Sequence, residues 1–182
     1  MLSLTEILLT KLIKSIIIIG TVFLKEAFEG GIKKMKRRFY VSVLDNNERK
    51  VILTGDMLPI KIVVEKTEYI SFDIQSNKKI EEDNILYEER QDEIYLTVIG
   101  NASKAKGFLR AVIDENHDFI IVHCKYTCKY DSKNQTLRIL CWKNGTMIYQ
   151  EYHGPIRRIH VGNIIKVSFF GDTETVKFDI NS

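Results

Sequence analysis

The chain has 182 residues, a formal net charge of +3, 45% hydrophobic and 28% charged residues. That length fits one domain or two small ones with a real core, and that balance excludes global disorder. Three cysteines are too few, and odd in number, for a disulfide-built secreted domain, and so small a charge does not by itself mark a nucleic-acid binder.

The most apolar stretch comes first, over residues 4–24, LTEILLTKLIKSIIIIGTVFL. Its uninterrupted part, Ile16 to Leu24, is about half of the ~20 residues that span a bilayer. Upstream, Lys11 and Lys14 would each cost roughly 2.5–3.5 kcal/mol at mid-membrane. Because lysines snorkel, a single-pass anchor is one reading. A helix docked on the domain or on a partner is a second, since Ser3, Glu6, Thr10, Lys14 and Thr21 share a polar stripe at helical period. A third places the native start at Met35: Glu29-Gly30-Gly31 can be encoded by a bacterial ribosome-binding sequence, with Ile32-Lys33-Lys34 as an A-rich spacer. A signal peptide fits less well, because the extreme N-terminus lacks basic residues and Lys25-Glu26-Ala27-Phe28 is a poor cleavage context. The expected division is an apolar, helical N-terminal segment over 1–34 and a β domain over 35–182.

From Arg38 onward, short runs of apolar and β-branched residues alternate with Asn, Asp and Gly clusters, which predicts strands separated by turns. Phe39 to Leu44 and Arg49 to Thr54 flank Asp45-Asn46-Asn47-Glu48 and read as a hairpin. Strands follow at Ile60–Glu65, Tyr69–Gln75, Ile85–Glu89 and Ile94–Ile99, with the acidic stretch from Glu81 to Glu93 as a solvated edge or loop. Alternation from Ile120 to Tyr130 predicts one long strand. Asn144-Gly145 between two apolar runs is the strongest hairpin signal, and its register sets Lys143 opposite Thr146 and Arg138 opposite Glu151. Ile164 to Phe170 and Thr175 to Ile180 complete the series.

Two stretches recur. Phe39 to Asn47 resembles Phe108 to Asn116, and Glu68 to Ser76 resembles Glu174 to Ser182. A duplicated β module divided as 35–100 and 101–182, with the boundary near Gly100–Gly107, accounts for this, and so does convergent hairpin chemistry. The fold expected is all-β, an antiparallel sandwich or barrel of roughly ten strands, as one unit or as two similar modules.

No constellation assembles catalytic chemistry. His123, Cys124, Cys128, Cys141, His153 and His160 invite a zinc reading, but four residues of extended strand put Cys124 and Cys128 about 13 Å apart. A Cys124–Cys141 pair across a hairpin is the more plausible thiol contact, either as two apolar side chains or, after export, as a disulfide. Gly-rich phosphate loops and Gly-x-Ser-x-Gly elbows are absent from the sequence. The spacing of Arg37-Arg38 and Asn101-Ala102-Ser103 does not reproduce the cyclic-dinucleotide motif of PilZ barrels. The best binding candidate is His153-Gly-Pro-Ile-Arg157-Arg158-Ile-His160, with Arg158 and His160 on one strand face and Lys104, Lys106 and Arg110 as a second basic group.

The expectation is therefore a non-enzymatic binding or assembly module with no catalytic residue, metal or cofactor. A protein partner or self-assembly leads, followed by an anionic ligand or nucleic acid. Membrane tethering enters only through residues 4–24, and the setting is otherwise cytoplasmic. Exposed aromatics beside Arg157 and Arg158, from the set Tyr126, Tyr130, Trp142, Tyr149 and Tyr152, would point to nucleic acid. A buried set with an apolar surface patch would point to protein assembly.

Overall fold

The computed structural model describes residues 27–29, 32–43, 49–55, 58–77, 80, 84–99, 106–124 and 126–179. The expected helix over residues 4–24, the turn at 45–48 and most of the 100–107 boundary lie outside the described residues. Among the described residues, no helix is long and apolar enough to cross a membrane.

The described residues form fifteen strands rather than about ten. In chain order the first eight are β1 (Ala27–Glu29), β2 (Ile32–Ser42), β3 (Lys50–Gly55), β4 (Ile60–Glu65), β5 (Tyr69–Ser76), β6 (Ile85–Glu89), β7 (Glu93–Val98) and β8 (Gly107–Asp114). The rest are β9 (Phe119–His123), β10 (Tyr126–Asp131), β11 (Thr136–Lys143), β12 (Thr146–His153), β13 (Ile156–Val161), β14 (Ile165–Phe169) and β15 (Thr175–Phe178). The β1–β2 pairing joins Ala27 to Lys34, so the sheet reaches into the segment that the sequence assigned to 1–34.

Two sheets pack face to face as a sandwich. One has eight strands in the order β1-β2-β5-β8-β4-β13-β14-β15, the other seven in the order β12-β11-β10-β9-β3-β7-β6. The sheets are mixed rather than purely antiparallel: β3 runs parallel to β7 and β9, and β4 runs parallel to β8. The chain changes sheet six times, at β2–β3, β3–β4, β5–β6, β7–β8, β8–β9 and β12–β13. Such crossings bring like-directed strands side by side, which a succession of hairpins would not.

Strands from the two halves of the chain share a sheet, since β8 lies between β4 and β5 and is bonded to both. Of the recurring stretches, β2 and β8 are each followed by a strand of the seven-stranded sheet, whereas β5 is interior and β15 is an edge. Two further expectations are corrected by this topology. The first is the β2–β3 hairpin: β2 pairs with β5 and β3 with β7 and β9, so the two strands lie in different sheets. The second is the long strand Ile120–Tyr130, which is folded in two after His123, with His123 opposite Tyr126. A two-residue turn exchanges the parity of the alternation, so Phe119, Ile121 and His123 face inward while Ile120 and Val122 face outward.

That same fold-back moves the next register. Tyr126, not Cys124, stands opposite Cys141, and Cys124 sits exposed in the turn at φ +47°. The β11–β12 hairpin, by contrast, has the expected register, with Lys143 opposite Thr146 and Arg138 opposite Glu151. Its two turn residues, Asn144 and Gly145, both adopt positive φ, 50° and 77°, as a two-residue hairpin with right-handed strand twist requires.

The core is a single cluster between the sheets, with Phe72, Phe119, Leu53, Ile60 and Ile62 fully enclosed. Burying each such side chain is worth roughly 1.5–3 kcal/mol relative to leaving it in water. Phe39 of β2 stacks on Tyr87 of β6 at 4.9 Å between centroids, and Tyr126 of β10 meets Phe178 of β15 edge-on at 6.0 Å. These aromatic pairs join one sheet to the other at two places. Two buried tyrosines also satisfy their hydroxyls across the gap: the Ile156 N–H donates to Tyr130 Oη at 3.4 Å, and Tyr126 Oη donates to the Asn163 carbonyl at 3.2 Å.

Candidate functional site

With alternate residues of every strand committed to this core, the others make two outer faces. Strand pairing then decides which of them stand side by side. In a ladder, directly paired residues share a face, and neighbouring strands lie about 4.8 Å apart. Across the eight-stranded sheet one outward row runs Arg38 (β2), Asp73 (β5), Arg110 (β8), Lys61 (β4), His160 (β13), Lys166 (β14) and Lys177 (β15). From Arg110 to Lys177, five adjacent strands each contribute a basic side chain. Arg158, opposite Val63 and Ser168, lies in the next row beside them.

The electrostatics of the row are one-sided. Arg38 is taken by Asp73, which it grips through Nε and, at 3.3 Å, through Nη2. The Asp73 hydrogen bond, followed by that of Tyr40, raises the Arg38 pKa further above its ordinary value, so this guanidinium is locked in its charged form. Among the described residues, no carboxylate lies within ion-pair distance of Arg110, Lys61, Arg158, Lys166 or Lys177. His160 stands between Lys61 and Lys166. Burial, then the charges of Lys61, Lys166 and His123, hold its pKa below the ordinary histidine value.

Aromatic rings share this face toward its β2–β5–β8 side. Lys61 Nζ lies 4.6 Å from the centroid of the half-buried Phe108 ring. Tyr40, exposed, accepts a hydrogen bond from Arg38 Nη1 at 3.1 Å, and Tyr69 is 43% exposed on β5.

Of the residues singled out from the sequence, the structure brings Arg110, Arg158 and His160 onto one face. Arg157 is exposed at a register shift in β13, and Lys106 is exposed just before β8, its backbone N–H donating to Asn77 Oδ1 at 2.8 Å. Lys104 lies outside the described residues. Sequence reasoning missed Lys61, Lys166 and Lys177. The signal was there: Ile60-Lys61-Ile62, Ile165-Lys166-Val167 and Val176-Lys177-Phe178 each place one lysine between two apolar residues on a short strand.

The other outer face differs. Tyr149, Leu140, Thr127, Val122, Thr54, Thr97 and Leu86 form an uncharged row across the seven-stranded sheet. At its β11–β12 end, Trp142 (63% exposed) stands opposite Met147 (54%) beside Tyr149 (49%), an apolar patch on an edge hairpin. Tyr126 and Tyr130 are buried and Tyr152 is half-buried. The exposed aromatics of the set named from the sequence, Trp142 and Tyr149, therefore lie on the seven-stranded sheet and not beside Arg157 and Arg158.

The remaining polar clusters brace turns. Asp118 Oδ1 accepts from the Ser132 N–H and hydroxyl, both at 2.8 Å, and Asp131 accepts from the Asn134 N–H at 2.9 Å and its side-chain amide at 2.7 Å. These groups line an open cleft of about 550 Å³ at the end of the sandwich. Burial pushes the Asp114 carboxyl up, but the Thr67 and Asn116 backbone N–H groups, with His117, more than offset this and hold it below its ordinary value. Burial, with the charge of Cys141, pushes the Cys128 thiol up to about 12, so at neutral pH it packs as an uncharged side chain. Among the described residues, no group of three or more histidine, cysteine or acidic side chains could hold a metal ion. Compared with models of protein families, with curated proteins and with solved structures, the chain matches none.

Proposed function

We propose that this domain is a non-enzymatic binding module whose working surface is the cationic outer face of the eight-stranded sheet, and whose ligand is an extended anion. The observation that carries the reading is the basic row from Arg110 through Lys61, His160 and Lys166 to Lys177. Like charges directly opposite one another destabilise a sheet. A chain of net charge +3 that sets Arg110, Lys61, Lys166 and Lys177 in one row, with no carboxylate of the described residues within ion-pair distance of them, has concentrated positive charge where an anion can use it. Retention of the full 182-residue chain on an immobilised polyanion, eluted with salt, tests this. Lys166→Glu with Lys177→Glu should elute at clearly lower salt than the unaltered chain, and unchanged elution would count against the face.

A second reading, protein assembly, is favoured by the Trp142, Met147 and Tyr149 patch. Its site is separate from the cationic face, so both uses are compatible in one molecule.

A further inference from the structure

Resting on the cationic-face reading, we infer that the anion is a single-stranded nucleic acid laid across the strands of the eight-stranded sheet. Two features of the face narrow the ligand beyond "anionic". The first is linear order. One basic side chain per strand over five adjacent strands, at about 4.8 Å per step, makes a track rather than a pocket. A track suits a repeating line of phosphates and offers no enclosure for a small anion. The second is the presence of rings on the same surface. Phe108 stands two residues from Arg110 on β8 with its ring against Lys61, and Tyr40 and Tyr69 are exposed on β2 and β5. Rings beside a charged track supply base-stacking platforms, the combination by which proteins hold single strands without reading sequence. A duplex keeps its bases stacked on one another and has no use for the rings. A sulfated polysaccharide or a lipid headgroup surface needs the charge alone.

His160 adds a signature. It is flanked by Lys61 and Lys166, with His123 of the seven-stranded sheet the other titratable group acting on it. A phosphate chain over this site favours its protonated form. Affinity should therefore rise as pH falls, beyond what the lysines alone produce, and His160→Gln should remove that rise.

The test uses fluorescence anisotropy of the full chain with labelled 20-mers of dT and rU. Comparison probes are a duplex of equal charge, heparin, and vesicles of mixed anionic and neutral lipid. Expected are tighter binding of the single strands than of any comparison probe and a drop of about tenfold for Phe108→Leu on single strands but not on heparin. Lys166→Gln and Lys177→Gln should each lower the slope of log affinity against log salt by about one. Tyr40→Ser, an exposed substitution, repeats the stacking test should Phe108→Leu perturb folding. Heparin, duplex or vesicles binding as tightly as single strands, with Phe108→Leu and Tyr40→Ser silent, overturns the nucleic-acid inference and leaves the cationic face as a general polyanion surface. Failure of every polyanion to bind overturns both.

Discussion

Seen across its strands, the eight-stranded sheet presents Arg110, Lys61, His160, Lys166 and Lys177 in one outward row, while the seven-stranded sheet presents Leu140, Thr127, Val122, Thr54 and Thr97. Both rows sit on the same core and follow the same two-residue alternation. What separates them is the cost of their neighbours to each other. In the uncharged row, cross-strand pairs of apolar and threonine side chains support pairing. In the cationic row, Arg110 stands beside Lys61 and Lys166 beside Lys177, with His160 between the two pairs, so that face is held together by what lies beneath it. A sheet can thus carry a surface that opposes its own pairing, provided that the inner face is well filled.

The largest way to break the comparison is through β8, which joins the two parts of the cationic face. A Cβ on Gly107 would lie 1.9 Å from the Gln75 carbonyl oxygen, at φ +156°. Gly107→Ala should cost about 3 kcal/mol, read by urea unfolding, and should disturb the β5–β8 junction while sparing the outer side of β11–β12.

Next comes Asp114, buried at the end of β8, which accepts from the Thr67 N–H at 3.1 Å and the Asn116 N–H at 3.1 Å. Asp114→Ala should lose about 2 kcal/mol at neutral pH. Because the folded-state pKa is depressed, the stability that this carboxylate contributes is present above its unfolded value and is lost as pH falls through the folded one. The acid limb of the unfolding curve should flatten in the variant.

His160 sharpens the contrast on the cationic side. Its folded-state pKa is also depressed, but here the neutral form is favoured, so the unfolded chain binds the proton more readily. Its contribution to stability should be full above about pH 6.5 and fall as pH drops from there through the folded value. On the proposed function, ligand affinity should run the opposite way, rising as pH drops. His160→Gln should weaken both dependences together, as measured by thermal unfolding and polyanion binding between pH 5 and 8.

The smallest effects concern single surface charges. Lys166→Thr should stabilise the fold by about 0.2–1 kcal/mol through relief of repulsion from Lys177, while weakening polyanion retention. On the other face, Trp142→Thr with Met147→Thr should leave unfolding almost unchanged and reduce any concentration-dependent association seen by light scattering.

Much of the local structure was legible in the residues. Ile60–Glu65 and Ile85–Glu89 are strands with the expected bounds, and the Asn144-Gly145 turn fixed a register in which Arg138 Nε reaches Glu151 Oε2 at 3.1 Å. Turn chemistry acts over a few residues, so it can be read locally. The break at Cys124 carried no such chemistry: a cysteine at positive φ has no mark in the sequence, and unbroken alternation concealed it. Nor does alternation name a strand's neighbours, which is why the parallel pairings and the corners between sheets escaped. The site divides the same way. Arg158 and His160 were paired correctly because they lie two residues apart on one strand. Lys61, Lys166 and Lys177 join them only through strand order, over separations that no local pattern spans.

The placement of β8 between β4 and β5 also sets a timetable. The chain between Tyr69 and Gly107 must be made before the gap between β4 and β5 can be filled. At the usual ribosomal pace of about 5–20 residues per second, the first strands wait some seconds with their pairing edges open. A fold whose contacts are this distant in sequence also refolds slowly, on the order of milliseconds to seconds. The newborn chain thus passes through an interval in which open strands, some bordered by lysines, are its exposed surface. Charge set along those strands would then discourage wrong pairing during synthesis as well as serve the finished face.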